Sequence, residues 1–120
     1  GGSVVLMVTL ENNVDRFAER FGELAEKARY LLSSQILADA NKHVRMDTGE
    51  LRDSSLRASN LPKGELVWDT PYAKRVYFTG VPSHDRNPDA ELMWVQVARD
   101  RYKDDWLVLF KNLAEQEVLR

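Results

Sequence analysis

The chain opens on a run with almost no polar positions. Val4-Val5-Leu6-Met7-Val8-Thr9-Leu10 is apolar and rich in β-branched side chains, which predicts a buried strand over residues 4–10. Glu11-Asn12-Asn13 breaks the run, and either asparagine offers a short side-chain oxygen to cap a following helix. From there the period changes. Val14, Phe17, Phe21, Leu24, Ala28 and Leu31 recur at spacings of three and four, and Leu32, Ile36 and Ala40 extend the stripe. Charged residues such as Asp15, Arg20, Glu23 and Lys27 fill the gaps. One long amphipathic helix over residues 14–40 follows from this pattern. Gly22 interrupts it at a cost of ~1 kcal/mol relative to alanine.

Residues 41–54 are polar and irregular. Residues 56–60 and 65–69 read as two strands joined by Leu61-Pro62-Lys63-Gly64, where proline presets one φ angle and glycine tolerates a positive one. A β-hairpin is expected there. Pro71 opens a short helix over residues 72–78, since proline suits a first helical position. Residues 79–89, with Gly80, Pro82 and Pro88, form a loop and are the expected mobile region. Asn87-Pro88 resembles a cap and first helical residue, and a second long helix is expected over residues 89–119. Its stripe is Trp94, Ala98, Tyr102, Trp106, Leu109 or Phe110, and Leu113. The pattern predicts an α+β fold in which two long helices pack on a small antiparallel sheet. The N-terminal strand and the central hairpin form that sheet, with a short third helix beside it.

Composition narrows the function more than the fold. With 120 residues, one domain is expected. Gly1-Gly2-Ser3 reads as a scar of expression cloning, leaving residues 4–120 as that domain. Lysine and arginine total 17 against 19 aspartates and glutamates, a balance unlike that of a dedicated nucleic-acid binder. The chain has no cysteine, which removes disulfides, thiolate metal sites and thiol catalysis. No apolar run approaches the ~18 residues of a membrane span, and the first run lacks the basic flank of a signal peptide. No membrane partner is expected.

Asp47-Thr48-Gly49 is the sharpest enzymatic signal, because Asp-Thr-Gly is the catalytic triplet of aspartic proteases. In retroviral-type versions, two such carboxylates share a proton across a dimer axis. Those enzymes place the triplet after an apolar strand in a nearly all-β chain. Here His43-Val44-Arg45-Met46 precedes it, and helices frame it. A retropepsin-like protease built on Asp47 is therefore the alternative reading. The competing one is a capping box, Asp47 with Glu50, with Leu51 dropping into the core of a structured loop or single turn. His43 and His84 lack the spacing of a zinc site and are expected on loops or facing solvent. No nucleophile elbow and no phosphate-binding glycine loop occurs. Trp68, Trp94 and Trp106 are expected in the core or at a subunit interface. Lys42, His43, Arg45, Arg52 and Arg57 make a mildly basic segment diluted by Asp47, Glu50 and Asp53. It reads as a solvated loop, or as a loop facing phosphate in a DNA channel.

One resemblance gathers these segments. Met46-Asp47-Thr48-Gly49-Glu50-Leu51-Arg52-Asp53-Ser54 resembles the Thr-Gly-x-Leu-x-x-Ser signature of small phage head–tail and minor capsid proteins. Thr70-Pro71-Tyr72-Ala73-Lys74-Arg75-Val76-Tyr77-Phe78 fits their Pro-Tyr-Ala motif with aromatics after it. Residues 87–98 with Trp94, and then Trp106, match their loop and tryptophan-bearing helix in the same order. The similarity spans residues 14–106. The chain departs from the pattern at Arg45-Met46, where relatives often carry a proline. The phage minor capsid family, related to head–tail connector and tail-completion proteins, is the one it resembles.

The resemblance implies a structural, non-enzymatic virion protein with no cofactor. It acts in head–tail joining, tail completion or the minor capsid, and is made in the host cytoplasm. Implied partners are other phage head, neck and tail proteins, with a homo-oligomeric ring in the virion, a monomer in isolation, and at most non-specific DNA contact. Asp47, Thr48, Gly49, Leu51 and Arg52 on one segment, with Tyr72, Tyr77, His84 and Arg86, are the residues expected at partner contacts.

Overall fold

The computed structural model describes residues 2–7 and 25–118. The elements are β1 (Val4–Met7), α1 (Glu26–Asn41), α2 (Glu50–Ala58), a 3-10 turn (Leu61–Lys63), β2 (Glu65–Trp68), α3 (Ala73–Phe78) and α4 (Trp94–Val118). The fold is α+β, as the pattern predicts. Val8 to Leu10 and the first half of the long N-terminal helix lie outside the described residues. None of the described helices is long and apolar enough to cross a membrane.

Among the described residues the sheet has two strands, β1 and β2, antiparallel, with Val4 opposite Trp68 and Met7 opposite Glu65. The expected central hairpin does not form. Residues 56–58 continue α2 instead. Gly49 stands before that helix at φ 78°, in the left-handed region that favours glycine, and turns the chain into it. Glu50 and Asp53 in the first turn and Arg57 in the last complement the helix dipole. Leu51, Ser54 and Ser55 form its buried face, and the two serine hydroxyls bond back to the carbonyls of Leu51 and Arg52. Leu56 is exposed, so the one apolar side chain that suggested a strand faces away from the core.

The last turn of α2 and the residues after it cover the outer edge of β2. The outward N–H groups of Glu65, Val67 and Asp69 donate to Asn60 O, Ser59 Oγ and Ser54 Oγ at 3.0, 2.9 and 3.2 Å. The turn between Asn60 and Gly64 uses the expected proline and glycine, with Gly64 at φ 74°, but it joins a helix to a strand.

The core lies between α1 and α4, with β2 and α3 closing one end. Ala28, Leu32, Ile36 and Ala40 are buried along α1 together with Leu37, whereas Leu31 is exposed. On α4 the buried stripe is Trp94, Ala98, Trp106, Phe110 and Leu113; Phe110, not Leu109, takes the ambiguous position. All three tryptophans are fully buried. Trp94 meets Trp68 edge-on at 5.7 Å and Tyr77 at 4.6 Å, an arrangement aromatic quadrupoles favour. That cluster joins β2, α3 and α4.

α4 begins five residues later than its sequence pattern suggests. Asn87 Oδ1 accepts from Asp89 N, and Ala90 N donates to Asn87 O, so Asn87-Pro88 closes a local turn rather than capping the helix. Met93 then adopts φ 51°, and its carbonyl accepts the first helical bond, from Val97 N. Its own N–H donates to Tyr77 O at 2.8 Å, tying the start of α4 to the end of α3.

Candidate functional site

The two segments that carry the resemblance meet at one place. A cleft of about 340 Å³ lies between residues 45–51 and α3, with Tyr72, Arg75 and Val76 along its second side. Arg45 and Arg75 bring positive charge to it, and Asp47 and Glu50 bring negative charge. The Tyr72 hydroxyl is 3.5 Å from Glu50 Oε2, a weak bond across the cleft. Burial, with the charge of Glu50 behind it, pushes the Tyr72 phenol above its ordinary value. It therefore stays a neutral hydrogen-bond donor throughout the physiological range.

The setting of Asp47 differs from that of an aspartic-protease triplet. Asp47 is exposed on an irregular stretch that leads into a helix, and no apolar strand precedes it. Nor does it complete a capping box, since α2 has no side-chain cap of that kind. Thr48 supplies the local bond instead, its Oγ1 accepting from Glu50 N at 3.2 Å. A serine or threonine hydroxyl reaching two residues along is a common turn-closing device.

Of the expected contact residues, Asp47, Thr48, Gly49, Leu51 and Tyr72 line the cleft. Leu51 and Tyr77 are core side chains, 4% and 3% exposed, so they hold the walls in place. Arg52 lies outside the cleft lining, half-buried, and pairs loosely with Asp53 at 3.5 Å. His84 and Arg86 are exposed on the loop after α3 and do not line the cleft. Arg45, Glu50, Arg75 and Val76 complete the cleft although none of them was expected at a partner contact. Glu50, Arg75 and Val76 stand inside the two motif segments; Glu50 drew attention only as a capping residue and Arg45 only as part of the basic segment.

Each side chain of the basic middle segment has at least one polar partner within the chain. Lys42 Nζ binds Asp39 Oδ1 at 2.8 Å and sits over the Tyr102 ring. The Asp39 hydrogen bond raises the Lys42 pKa above its ordinary value. Arg57 and Asp69 form a bidentate pair. Arg45 donates to Thr79 O at 2.9 Å. His43 is 1% exposed, contrary to the expectation of a solvent-facing side chain, although it does lie on a turn. Its Nδ1 donates to Asp89 O at 2.9 Å, because a carbonyl only accepts. His84 Nε2 likewise donates to Ala90 O at 3.0 Å. Among the described residues no three His, Cys, Asp or Glu side chains are grouped so as to hold a metal ion.

The motif residues of this small α+β chain thus shape turns, walls and a mixed-charge cleft. The minor capsid protein family model matches residues 11–112, and the chain belongs to that family of phage minor capsid proteins. It is a structural protein of the phage virion, where it meets other virion proteins. No curated protein and no solved structure matches the chain.

Proposed function

We propose that this minor capsid protein acts in head–tail joining or tail completion, as a single domain over residues 4–120. It is made in the host cytoplasm as a monomer, assembles there, and enters a homo-oligomeric ring in the virion. It catalyses no reaction, and any DNA contact is non-specific. The observation that carries this reading is the convergence of both motif segments on the cleft between residues 45–51 and α3. Two arginines and two carboxylates on one open surface suit the recognition of a neighbouring protein, because complementary charge sets partner choice and register. A closed ring requires two different surfaces that meet head to tail. The cleft, with Asp47, Thr48 and Tyr72 on it, is one such surface. The loop bearing His84 and Arg86 is the other, and Arg52 flanks the first.

The test is a phage deleted for the gene and complemented in trans. Deletion should leave filled heads and free tails with few joined particles, as counted by electron microscopy. Complementation with Arg75→Glu should restore joining poorly, and Asp47→Lys should behave alike. Both positions are exposed, so the variants should fold as the parent does. Infectious particles from the deletion strain, together with a purified protein that binds no head, neck or tail component, would remove the proposal. A peptidase activity lost in Asp47→Asn would favour the alternative reading.

A further inference from the structure

Arg45 belongs to both of the surfaces just described. Its side chain lines the cleft together with Asp47 and Arg75. The same guanidinium donates from Nη2 to Thr79 O at 2.9 Å, where the loop after α3 begins. Gly80, at φ 87°, passes so close that a Cβ there would lie 3.2 Å from Arg45 Nη2 and 3.8 Å from Nη1. A side chain at that point would push the guanidinium aside, so the loop and this wall of the cleft are fitted to each other. A guanidinium is a planar fork of donors, and a single bond to Thr79 leaves most of them unused. The Nε donor is buried without an acceptor among the described residues. The bond to the loop therefore fixes the fork and leaves donors on it unpaired.

The far end of the loop holds the backbone that carries Arg45. Asn87 Nδ2 donates to Lys42 O and Val44 O at 3.0 and 2.8 Å. His43 Nδ1 donates to Asp89 O at 2.9 Å, and Glu91 N donates to His43 O at 3.0 Å. The loop over residues 79–89, expected to be mobile, is thus tied at both ends, and the tie is the segment that leads into the cleft. An arginine fixed before a partner arrives removes its ordering cost from the binding step. Coupling between two sites is reciprocal, so a loop that orders the cleft is itself ordered by whatever binds there. We infer that residues 42–45 couple the two contact surfaces, with Arg45 as the positioning residue. The ordered loop sets the Arg45 guanidinium in the cleft wall, and a neighbouring copy seated in the cleft firms the loop for the copy after it. This rests on the ring assembly proposed above and adds to it a reason for subunits to join cooperatively.

The test changes the loop and reads the cleft, then the reverse. Neither Gly80 nor Asn87 lines the cleft. Asn87→Asp keeps the acceptor for Asp89 N and removes only the donor to Lys42 and Val44. Gly80→Asn adds a Cβ against Arg45 with a residue that accepts a positive φ. In the full chain, well below the melting point of each variant, ¹⁵N relaxation should show the amide order parameters of residues 47–49 falling from about 0.85 to below about 0.6 in both. Order at residues 47–49 unchanged in both variants overturns the coupling. Arg45→Met keeps the aliphatic stem and loses the donors, and should loosen residues 80–84 to the same extent. A loop whose order survives Arg45→Met overturns the positioning role of Arg45. Quantitative mass spectrometry of purified phage particles then counts the copies incorporated. Gly80→Asn and Asn87→Asp should each lower the count at least about five-fold, the small end of measured couplings between sites. Normal counts from variants whose cleft is loosened overturn the cooperative role while leaving the assembly role intact. Particles that lack even the wild-type chain overturn the assembly role itself.

Discussion

Trp106 Nε1 donates to Asp39 Oδ2 at 2.7 Å, joining residues 67 positions apart inside the core. Asp39 is 3% exposed, and its other oxygen accepts from Lys42 Nζ at 2.8 Å and Gln35 Nε2 at 3.2 Å. A carboxylate out of water needs this full set of donors. Asp39→Ala strands the indole N–H and should destabilise the fold by about 2–3 kcal/mol, as expected for a hydrogen bond to a charged group. Urea unfolding should show a lower midpoint with an unchanged slope. A double-mutant cycle with Trp106→Phe should return a coupling above about 0.5 kcal/mol; a value of zero would mean the bond contributes only through burial.

Asn41 serves a second tryptophan in the same way. Its Oδ1 accepts from Trp68 Nε1 and its Nδ2 donates to Ser55 Oγ, both at 3.0 Å. Asn41→Leu removes both bonds and should cost about 1–3 kcal/mol. Near-ultraviolet circular dichroism should change with it, because Trp68 stacks edge-on against Trp94.

Gly49→Ala isolates a backbone effect. A Cβ there would find its nearest neighbours at 3.9 Å, so nothing obstructs it, but φ is +78°. The expected loss is about 1–2 kcal/mol, the cost of a left-handed backbone for an L-residue. Gly49→Asn should lose less. Equal stability of Gly49→Ala and the parent would show that α2 begins some other way.

The Arg57–Asp69 pair sets an acid dependence. The hydrogen bonds from Arg57 hold the Asp69 carboxyl below its usual 3.8. A depressed carboxylate contributes stability above its unfolded value and loses it as the pH falls through the folded one. The contribution is therefore complete at neutral pH and lost below pH 3.8. An NMR titration of Asp69 should show a midpoint below 3.8 that rises in Arg57→Ala. Lys42 runs the other way. Its pKa is raised above 10.5 by Asp39, so its contribution is present at neutral pH and lost as the pH rises beyond that value.

How far the sequence reveals this fold depends on how much each segment's pattern owes to burial. α4 was legible from Trp94 to Leu113 because its core side chains are large and spaced at three or four. α2 was not, because its buried face consists of Leu51 and two serines, which carry almost no hydropathy signal. Leu56, facing water, supplied a misleading one. The partner of β2 was equally hidden. Strand pairing across some sixty residues is set by tertiary packing, whereas the local turn at Pro62 and Gly64 suggests a nearer partner. The motif segments were visible as words, but nothing in their separation along the chain indicates that Arg45 and Arg75 face the same cleft. The burial of His43 was hidden for a related reason: it comes from residues 89–91, folded onto its turn from a distant part of the chain.

The serine and asparagine bonds along β2 bear on what happens when many copies crowd together. A bare strand edge invites another chain to extend the sheet, which is a route to aggregation. Here Ser54, Ser59 and Asn60 occupy that edge of β2, so neighbouring subunits cannot be stitched to one another through it. Contacts with other virion proteins are thereby directed, along this edge, toward side chains, which can be selective, and away from backbone pairing, which accepts any strand.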